Sequence, residues 1–245
     1  RNPMVEDDGV PVRRRMKRAR ENTEGPLIFL DVDGVLNCAA SRAAAANLYL
    51  TEKITWEQKL AADAAAPSLL TNLVSLIQQT EAKVVLSSTW RLADRTRDVI
   101  EERLRASNIE IIGVTPEATP SDDCAGADGE FSPEVERAIE IMRWLQVECA
   151  VESPWIAIDD MDLVGEGGGR MQAAHFVHTD DGQGLTPAKA EEAAEKLLAQ
   201  RGKEMLASAC GDAGDCQGES DSRVRREADR EGTASANYTV AVSTA

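Results

Sequence analysis

Short apolar runs alternate with longer amphipathic segments through the middle of the chain. The apolar runs have the length of strands, and they lie at 26–31, 83–87, 109–114, 155–159 and 174–178. Most are apolar throughout rather than at every second position, which is typical of parallel strands that are buried on both faces. The pattern therefore predicts a parallel sheet.

The segments between these runs have apolar residues at helical spacing. They lie at 67–80, 94–107, 133–148 and 186–200. Pro133 and Pro187 each stand at a first helical position, where the N–H that proline lacks has no partner within the helix. The Ala-rich segment 38–66 is also expected to be helical. This alternation of strands and helices predicts an α/β fold with a doubly wound, Rossmann-like parallel sheet.

The two ends of the chain lack this pattern. With 245 residues, the chain is long enough for one α/β domain and two tails. We expect a disordered basic arm at 1–24, a catalytic domain at 25–201 and a disordered tail at 202–245. Six of the eight residues at 13–20 are basic, so the arm is either a nuclear-localisation or RNA-contacting segment or a solvated arm without a partner.

Charge and composition limit the classes of partner. The net charge of −16 repels phosphate backbones, which argues against broad nucleic-acid binding by the folded part. No run approaches the eighteen or so apolar residues of a membrane span, so no membrane partner is expected. Five scattered cysteines without a CxxC pair suggest a reducing compartment, and we expect an intracellular protein, cytoplasmic or nuclear. The sequence does not indicate an oligomeric state.

Acidic residues follow two of the predicted strands directly. Asp31 ends the first predicted strand and Asp33 follows it, and Asp159 ends the fourth and Asp160 follows it. In parallel α/β sheets, ligands bind at the carboxyl ends of the strands, so these side chains are expected to meet there. Carboxylates brought together repel one another unless a cation neutralises them, and hard oxygen ligands suit Mg²⁺.

The same residues suit phosphoryl transfer. An aspartate can attack a phosphoryl group, which makes Asp31 a candidate nucleophile. Asp33, two residues further on, is the candidate general acid and base. Gly34 permits a tight turn beside them. A hydroxyl at the end of the second strand would hold phosphate oxygens; Ser87 is the first candidate and Ser88 the alternative.

Three sequence motifs resemble those of the haloacid dehalogenase (HAD) superfamily. The stretch "FLDVDGVLN" resembles its first motif, "VVLSS" its second and "IAIDD" its fourth. The stretches "AKVVLSSTWR", "WIAIDDMD" and "FVHTDDGQGLT" resemble one branch, the HAD domain of Swiss Army Knife RNA-repair proteins, over about 26–200. This resemblance implies a Mg²⁺-dependent phosphomonoester hydrolase that acts through a phospho-aspartate, with Asp31, Asp33, Asp159 and Asp160 as candidate metal ligands.

The superfamily also has a basic residue that neutralises the nucleophile and the phosphate. The resemblance implies that this residue lies on the helix before the fourth strand. Arg137 is the first candidate and Arg143 the second. Arg91, which follows the serine motif, is a candidate phosphate clamp, and its alternative role is a structural salt bridge.

Several other polar or aromatic residues are expected to be structural. Asp162 is interpreted as a local cap, and the two histidines as structural residues of the fifth strand. Trp90 and Trp144 are interpreted as packing residues. Asp180 and Asp181 are expected to shape a turn, although either could approach the metal site.

The inserts of this chain are short. Segments 38–66 and 115–132 leave room only for a small cap, or none, and an open site suits large phosphorylated substrates such as RNA or DNA ends or phosphoproteins. The branch resemblance and the basic arm favour nucleic-acid ends, and a small-molecule or nucleotide phosphatase is the alternative. A binding module with little turnover is disfavoured because both aspartates, the serines and the paired acids are present. Dehalogenase chemistry is disfavoured by Asp33.

Overall fold

The apolar runs form one parallel sheet. The computed structural model describes residues 25–118, 132–148, 150 and 152–211. Its strands are β1 (Leu27–Leu30), β2 (Lys83–Leu86), β3 (Ile111–Val114), β4 (Trp155–Asp159) and β5 (Phe176–His178). All neighbouring strands are parallel, in the order β3-β2-β1-β4-β5. The predicted doubly wound α/β fold is confirmed.

The amphipathic segments form helices close to the predicted bounds. The helices are α1 (Ala39–Leu50), α2 (Trp56–Ala64), α3 (Pro67–Thr80), α4 (Asp94–Arg105), α5 (Pro133–Val147) and α6 (Pro187–Gly211). Two short 3₁₀ turns lie at Thr89–Leu92 and Ala173–His175. The helix α6 runs past 201, so the boundary predicted there does not mark its end. The predicted arm at 1–24 and the segment from 212 to 245 lie outside the described residues.

Helices cover both faces of the sheet. On one face, alternate residues of β1 pack against apolar side chains of α3, α4 and α6. On the other face, Leu27 and Phe29 pack against α5, where Trp144 meets the Phe29 ring edge to face at 5.3 Å between centroids. A strand that is buried on both sides needs apolar residues at every position, which explains the uninterrupted runs.

One stretch has the length and composition of a membrane-spanning helix, contrary to what the sequence led us to expect. It is Trp56–Thr80. It consists of α2 and α3, separated at Ala65 and Ala66, and the apolar side chains of α3 pack into the core beside β1. Its apolar content therefore corresponds to core packing in this fold.

The register of the central strands places the acidic residues at one edge. Leu30 of β1 is paired with Leu86 of β2 and with Ile158 of β4. The residues that follow these three partners are Asp31, Ser87 and Asp159, which therefore lie side by side at the carboxyl edge of the sheet. The insert at 38–66 forms α1 and α2 next to this edge, and most of the insert at 115–132 lies outside the described residues.

Candidate active site

Asp31 is buried at the carboxyl end of the central strand. Only 5% of the residue is exposed. Its Oδ1 accepts a hydrogen bond from the Arg137 guanidinium at 3.0 Å, and its carboxylate also accepts one from the Ser88 hydroxyl. Burial raises the pKa of Asp31 to about 6, although Arg137 and Ser88 favour the charged form. The carboxylate thus faces a cation and a hydroxyl in a site that is shielded from solvent.

Arg137 joins two of the buried aspartates. It lies one turn inside α5, whose first position is Pro133 and whose N-terminus is capped by the Ser132 hydroxyl. Its Nη1 donates to Asp31 and, at 2.7 Å, to Asp159 Oδ2. Burial alone would lower the pKa of Arg137, but the carboxylates of Asp159 and Asp31 outweigh burial and raise it. Arg137 is therefore a fixed cation at this edge of the sheet.

Among the residues that the structure describes, three carboxylates form a group that could hold a metal ion. Ligand atoms of Asp31, Asp159 and Asp160 all lie within 4.8 Å of one another. Burial raises the pKa of Asp159 to about 8, and burial also raises the pKa of Asp160. One guanidinium cannot balance three carboxylates, so the site favours either protons or a further cation. Oxygen donors at this spacing fit Mg²⁺, the cation that the sequence predicts.

The Asp33 side chain lies outside this carboxylate group. Its Oδ1 accepts a hydrogen bond from the Asn37 amide at 2.9 Å, and its Oδ2 accepts one from the Trp90 indole N–H, also at 2.9 Å. The structure thus does not place the Asp33 carboxylate in this candidate metal-binding group, where the sequence predicted it. Trp90 does more than pack, because it contacts a candidate catalytic residue.

Gly34 lets the backbone pass close to Asp160. Its φ is +70°, a left-handed conformation that favours glycine, and a Cβ at this position would lie 2.3 Å from the Asp160 Cγ. Glycine is therefore needed at position 34 for two reasons. It adopts the left-handed conformation of the turn, and it leaves room for the side chain of Asp160, a candidate metal ligand.

We expect Gly34→Ala to weaken Mg²⁺ binding as well as stability. The left-handed backbone costs about 1–2 kcal/mol with a side chain, and the new methyl group displaces Asp160. Gly169→Ala is the matched control, since Gly169 has φ +74° but nothing within 4 Å of its Cβ position. Thermal unfolding with and without Mg²⁺ should show a stability loss in both variants and a smaller Mg²⁺ shift in Gly34→Ala alone. Equal Mg²⁺ shifts would contradict the role of Asp160.

The two serines after β2 differ in their contacts. The Ser88 hydroxyl bonds the Asp31 carboxylate, as described above, whereas the Ser87 hydroxyl accepts a hydrogen bond from the Thr115 hydroxyl at 3.4 Å. Both serines are buried. The geometry favours Ser88, the alternative in the sequence analysis, as the serine that faces the nucleophile.

Arg91 is held by the protein. Its guanidinium donates to the carbonyl groups of Thr115 and Ser88 at 2.9 and 2.7 Å, and it pairs with Glu140 at 2.5 Å. Glu140 is also 3.6 Å from Arg137 Nε, so this buried glutamate links the two arginines. These contacts favour the structural salt bridge over the predicted phosphate clamp.

Arg42 places a positive charge at the rim of the site, and the sequence analysis missed it. This residue of α1 donates to Asn37 Oδ1 at 2.7 Å and pairs with Asp181 at 2.5 Å. Burial is the main cause of the raised pKa of Asp160, and the charge of Asp181 raises this pKa further. Asp181 therefore lies near the candidate metal site, which is one of the two positions that the sequence allowed. No sequence motif indicates a role for Arg42, because it lies in an Ala-rich helix whose sequence is typical of a solvent-exposed helix.

The remaining candidate residues lie away from the three carboxylates, or their side chains contact only backbone groups near the site. Arg143 lies nearly three turns into α5 and contacts the Glu117 carbonyl at 3.5 Å. His175 stacks on Trp155, and the His178 ring nitrogen Nε2 is 2.8 Å from the Asp160 carbonyl oxygen. Asp162 accepts hydrogen bonds from the N–H groups of 164 and 165, as expected for a local cap.

The raised pKa values predict that stabilisation by Mg²⁺ grows with pH. The unfolded chain ionises these aspartates near the ordinary aspartate pKa of 3.8, whereas burial raises the pKa in the folded chain to about 6 for Asp31 and to about 8 for Asp159. Without metal, their contribution to the free energy of unfolding therefore falls as the pH rises from about 4 to 8. Because Mg²⁺ would bind the ionised carboxylates, its shift of the melting temperature should increase over the same range.

Calorimetry of the wild type and of Asp159→Asn, between pH 5 and 8, checks this prediction. The variant should show a small Mg²⁺ shift at every pH, since it lacks one charged ligand. A wild-type shift that is constant with pH would contradict the assignment of these carboxylates to the metal.

Comparison with known proteins agrees with the motifs of the chain. A family model described as the HAD domain in Swiss Army Knife RNA repair proteins matches residues 27–190, which is more than half of the chain. No curated protein and no solved structure matches the chain. The matched range covers all five strands and every candidate site residue described above.

Proposed function

The chain belongs to the family of HAD domains found in Swiss Army Knife RNA repair proteins, and we propose that it hydrolyses phosphate monoesters through a phosphoryl group bound covalently to Asp31. Membership of the HAD superfamily indicates a hydrolase. The observation that carries the finer proposal is the setting of Asp31, a buried carboxylate in contact with Arg137 and Ser88 and next to two further carboxylates.

The contacts of Asp31 suit a nucleophile that meets a dianion. Its carboxylate oxygen forms the bond to phosphorus while the ester bond breaks. Arg137 neutralises the negative charge that the phosphoryl group brings, and the Ser88 hydroxyl is placed to donate to a phosphoryl oxygen. Fixed donors of this kind stabilise the transition state without having to reorganise.

Asp33 completes the proton transfers of both half-reactions. Its carboxyl group gives a proton to the oxygen of the departing alcohol. The resulting carboxylate then takes a proton from the water that attacks phosphorus and frees Asp31. The enzyme is thereby restored, and the products are an alcohol and inorganic phosphate.

A divalent cation fits the remaining carboxylates. Asp31, Asp159 and Asp160 would hold it, and Mg²⁺ would supply positive charge for the phosphoryl oxygens. The pKa values of these three aspartates are raised chiefly by burial, which supports this proposal, since a bound cation would stabilise their ionised forms.

We favour phosphorylated nucleic-acid ends as the substrate class. The family's association with RNA repair proteins supports this choice, and so does Arg42, which is about one-third exposed at the rim of an otherwise acidic site. A small phosphorylated metabolite is the competing class. It is supported by the position of α1 beside Asp33, because a helix close to the site limits the room for a large substrate. The two are linked by Asn37, which contacts both Arg42 of α1 and Asp33.

Phosphate release from a substrate panel with Mg²⁺ tests the proposal. The panel contains p-nitrophenyl phosphate, nucleotides, and oligonucleotides with a 3′ or a 5′ phosphate. We expect release that EDTA abolishes, and faster release from one class of oligonucleotide end than from nucleotides. Faster turnover of nucleotides would overturn the substrate class alone, whereas no release from any member would overturn the proposed hydrolysis.

A further inference from the structure

The Asp33 carboxylate is held by one N–H donor on each oxygen. Asn37 Nδ2 donates to Oδ1 and Trp90 Nε1 donates to Oδ2, both at 2.9 Å. The two donors come from different elements, the loop after β1 and the 3₁₀ turn after β2. A carboxyl group that is bonded from both sides cannot rotate about its own axis without losing a hydrogen bond.

Both donors are themselves fixed. Asn37 is fully buried, its amide also donates to the Asp63 carbonyl, and its oxygen accepts from the Gly34 N–H and from Arg42. Its orientation is therefore set by hydrogen bonds on both ends of the amide.

Trp90 is held in a similar way by its turn. Only 8% of the residue is exposed. Its backbone N–H donates to the Ser88 hydroxyl at 3.4 Å, and its carbonyl accepts from the Thr96 hydroxyl at 2.7 Å. The indole ring thus links the serine motif of β2 to Asp33.

We propose that Trp90 is a positioning residue, which holds the Asp33 carboxyl group where it protonates the departing oxygen of the substrate. The inference rests on the proposed function. Each carboxyl oxygen has two acceptor sites, and the two N–H donors use one apiece. One site on each oxygen stays open for the proton that moves to the departing alcohol, so the donors fix the group without blocking its chemistry.

A purely packing role for Trp90 predicts a different result. A buried indole N–H usually finds an acceptor, so the hydrogen bond could serve only the stability of the turn. Loss of that bond would then slow all substrates by a similar factor. Loss of proton donation instead slows esters of a weakly acidic alcohol far more than esters of an acidic phenol, which departs without help.

Trp90→Phe removes the N–H and keeps an aromatic ring. The measurement is kcat/KM with Mg²⁺ for p-nitrophenyl phosphate and for a simple alkyl phosphate. We expect the alkyl ester to lose roughly 10-fold or more and the aryl ester to change by less than about 3-fold. Asp33→Asn gives the full size of the same selective loss. Trp144→Phe is the control, because Trp144 is a buried residue of α5 that does not contact Asp33. This variant should change both rates by one common factor.

A second variant removes the effect of ring size. Trp90 replaced by 3-benzothienylalanine keeps a bicyclic ring and lacks the N–H, so it should show the same selective loss if Trp90→Phe folds poorly. Suppose that Asp33→Asn loses activity selectively on the alkyl ester. An equal loss on both esters in either variant of Trp90, or no loss, would then overturn the role of Trp90 alone. Wild-type protein that releases phosphate from neither ester and from no other member of the panel would overturn the proposed function, and this inference with it.

Discussion

Asp31→Asn is expected to lower phosphate release by roughly 10⁴-fold or more, the effect of removing a nucleophile. The amide keeps the size of the carboxyl group and cannot form the phosphoryl bond. The measurement is phosphate release with Mg²⁺ from the fastest substrate of the panel. Asp162→Asn is the matched control, because Asp162 caps a nearby turn through backbone N–H groups. A loss below about 10-fold in Asp31→Asn would contradict the nucleophile.

The same variant should remain folded. Asp31 is one of three carboxylates whose pKa values are raised by burial, so an amide in its place relieves repulsion. Arg137 keeps its hydrogen bond to Asp159. Thermal unfolding without metal at pH 7 should therefore show a melting temperature at or above that of the wild type. A large decrease would mean that lost activity reports unfolding instead of chemistry.

Arg137→Met is expected to have the largest effect on stability. It removes the guanidinium that bonds two buried aspartates and leaves their charges unpaired. Breaking a buried ion pair in this way costs about 3–5 kcal/mol. The cost should increase with pH, because the unfolded chain ionises these aspartates from about pH 4 whereas the folded chain must then keep them protonated. Activity should fall as well, since no cation then faces the phosphoryl group.

Denaturant unfolding at pH 5 and pH 8 measures this effect. Arg143→Met is the matched control on the same helix, and a half-buried arginine that contacts a carbonyl group at 3.5 Å should cost far less. Arg137→Lys should recover part of the stability, because it restores the charge but not the planar guanidinium, whose Nε also faces Glu140. A similar loss in Arg137→Met and Arg143→Met would contradict the central position of Arg137.

The sheet and its acidic edge followed from the sequence because both depend on local patterns. A strand buried on both faces requires an apolar run, and the residue after such a run must lie at the edge of the sheet. Asp31 and Asp159 were predicted in this way. The choice between Ser87 and Ser88 was less certain, since one residue at the end of β2 decides which hydroxyl faces Asp31.

The contacts of Trp90, Arg42 and Glu140 could not be predicted from the sequence. Trp90 and Asp33 are 57 residues apart, and their hydrogen bond depends on the conformation of a 3₁₀ turn and of one indole ring. Arg42 and Asp181 are 139 residues apart. The sequence also predicted too early an end for α6, because Gly202 and the small residues that follow it interrupt the apolar pattern of the helix.

The phosphorylation of Asp31 is the central claim, and trapping it is the most direct test. Asp33→Asn removes the group that activates the attacking water, so a phosphoryl group from p-nitrophenyl phosphate should accumulate on the enzyme. Acid quenching, proteolysis and mass spectrometry should then find one added phosphoryl group on the peptide that contains Asp31, and none in the Asp31→Asn, Asp33→Asn double variant. Turnover of the ester by wild-type enzyme without any such phosphopeptide in Asp33→Asn would contradict the account.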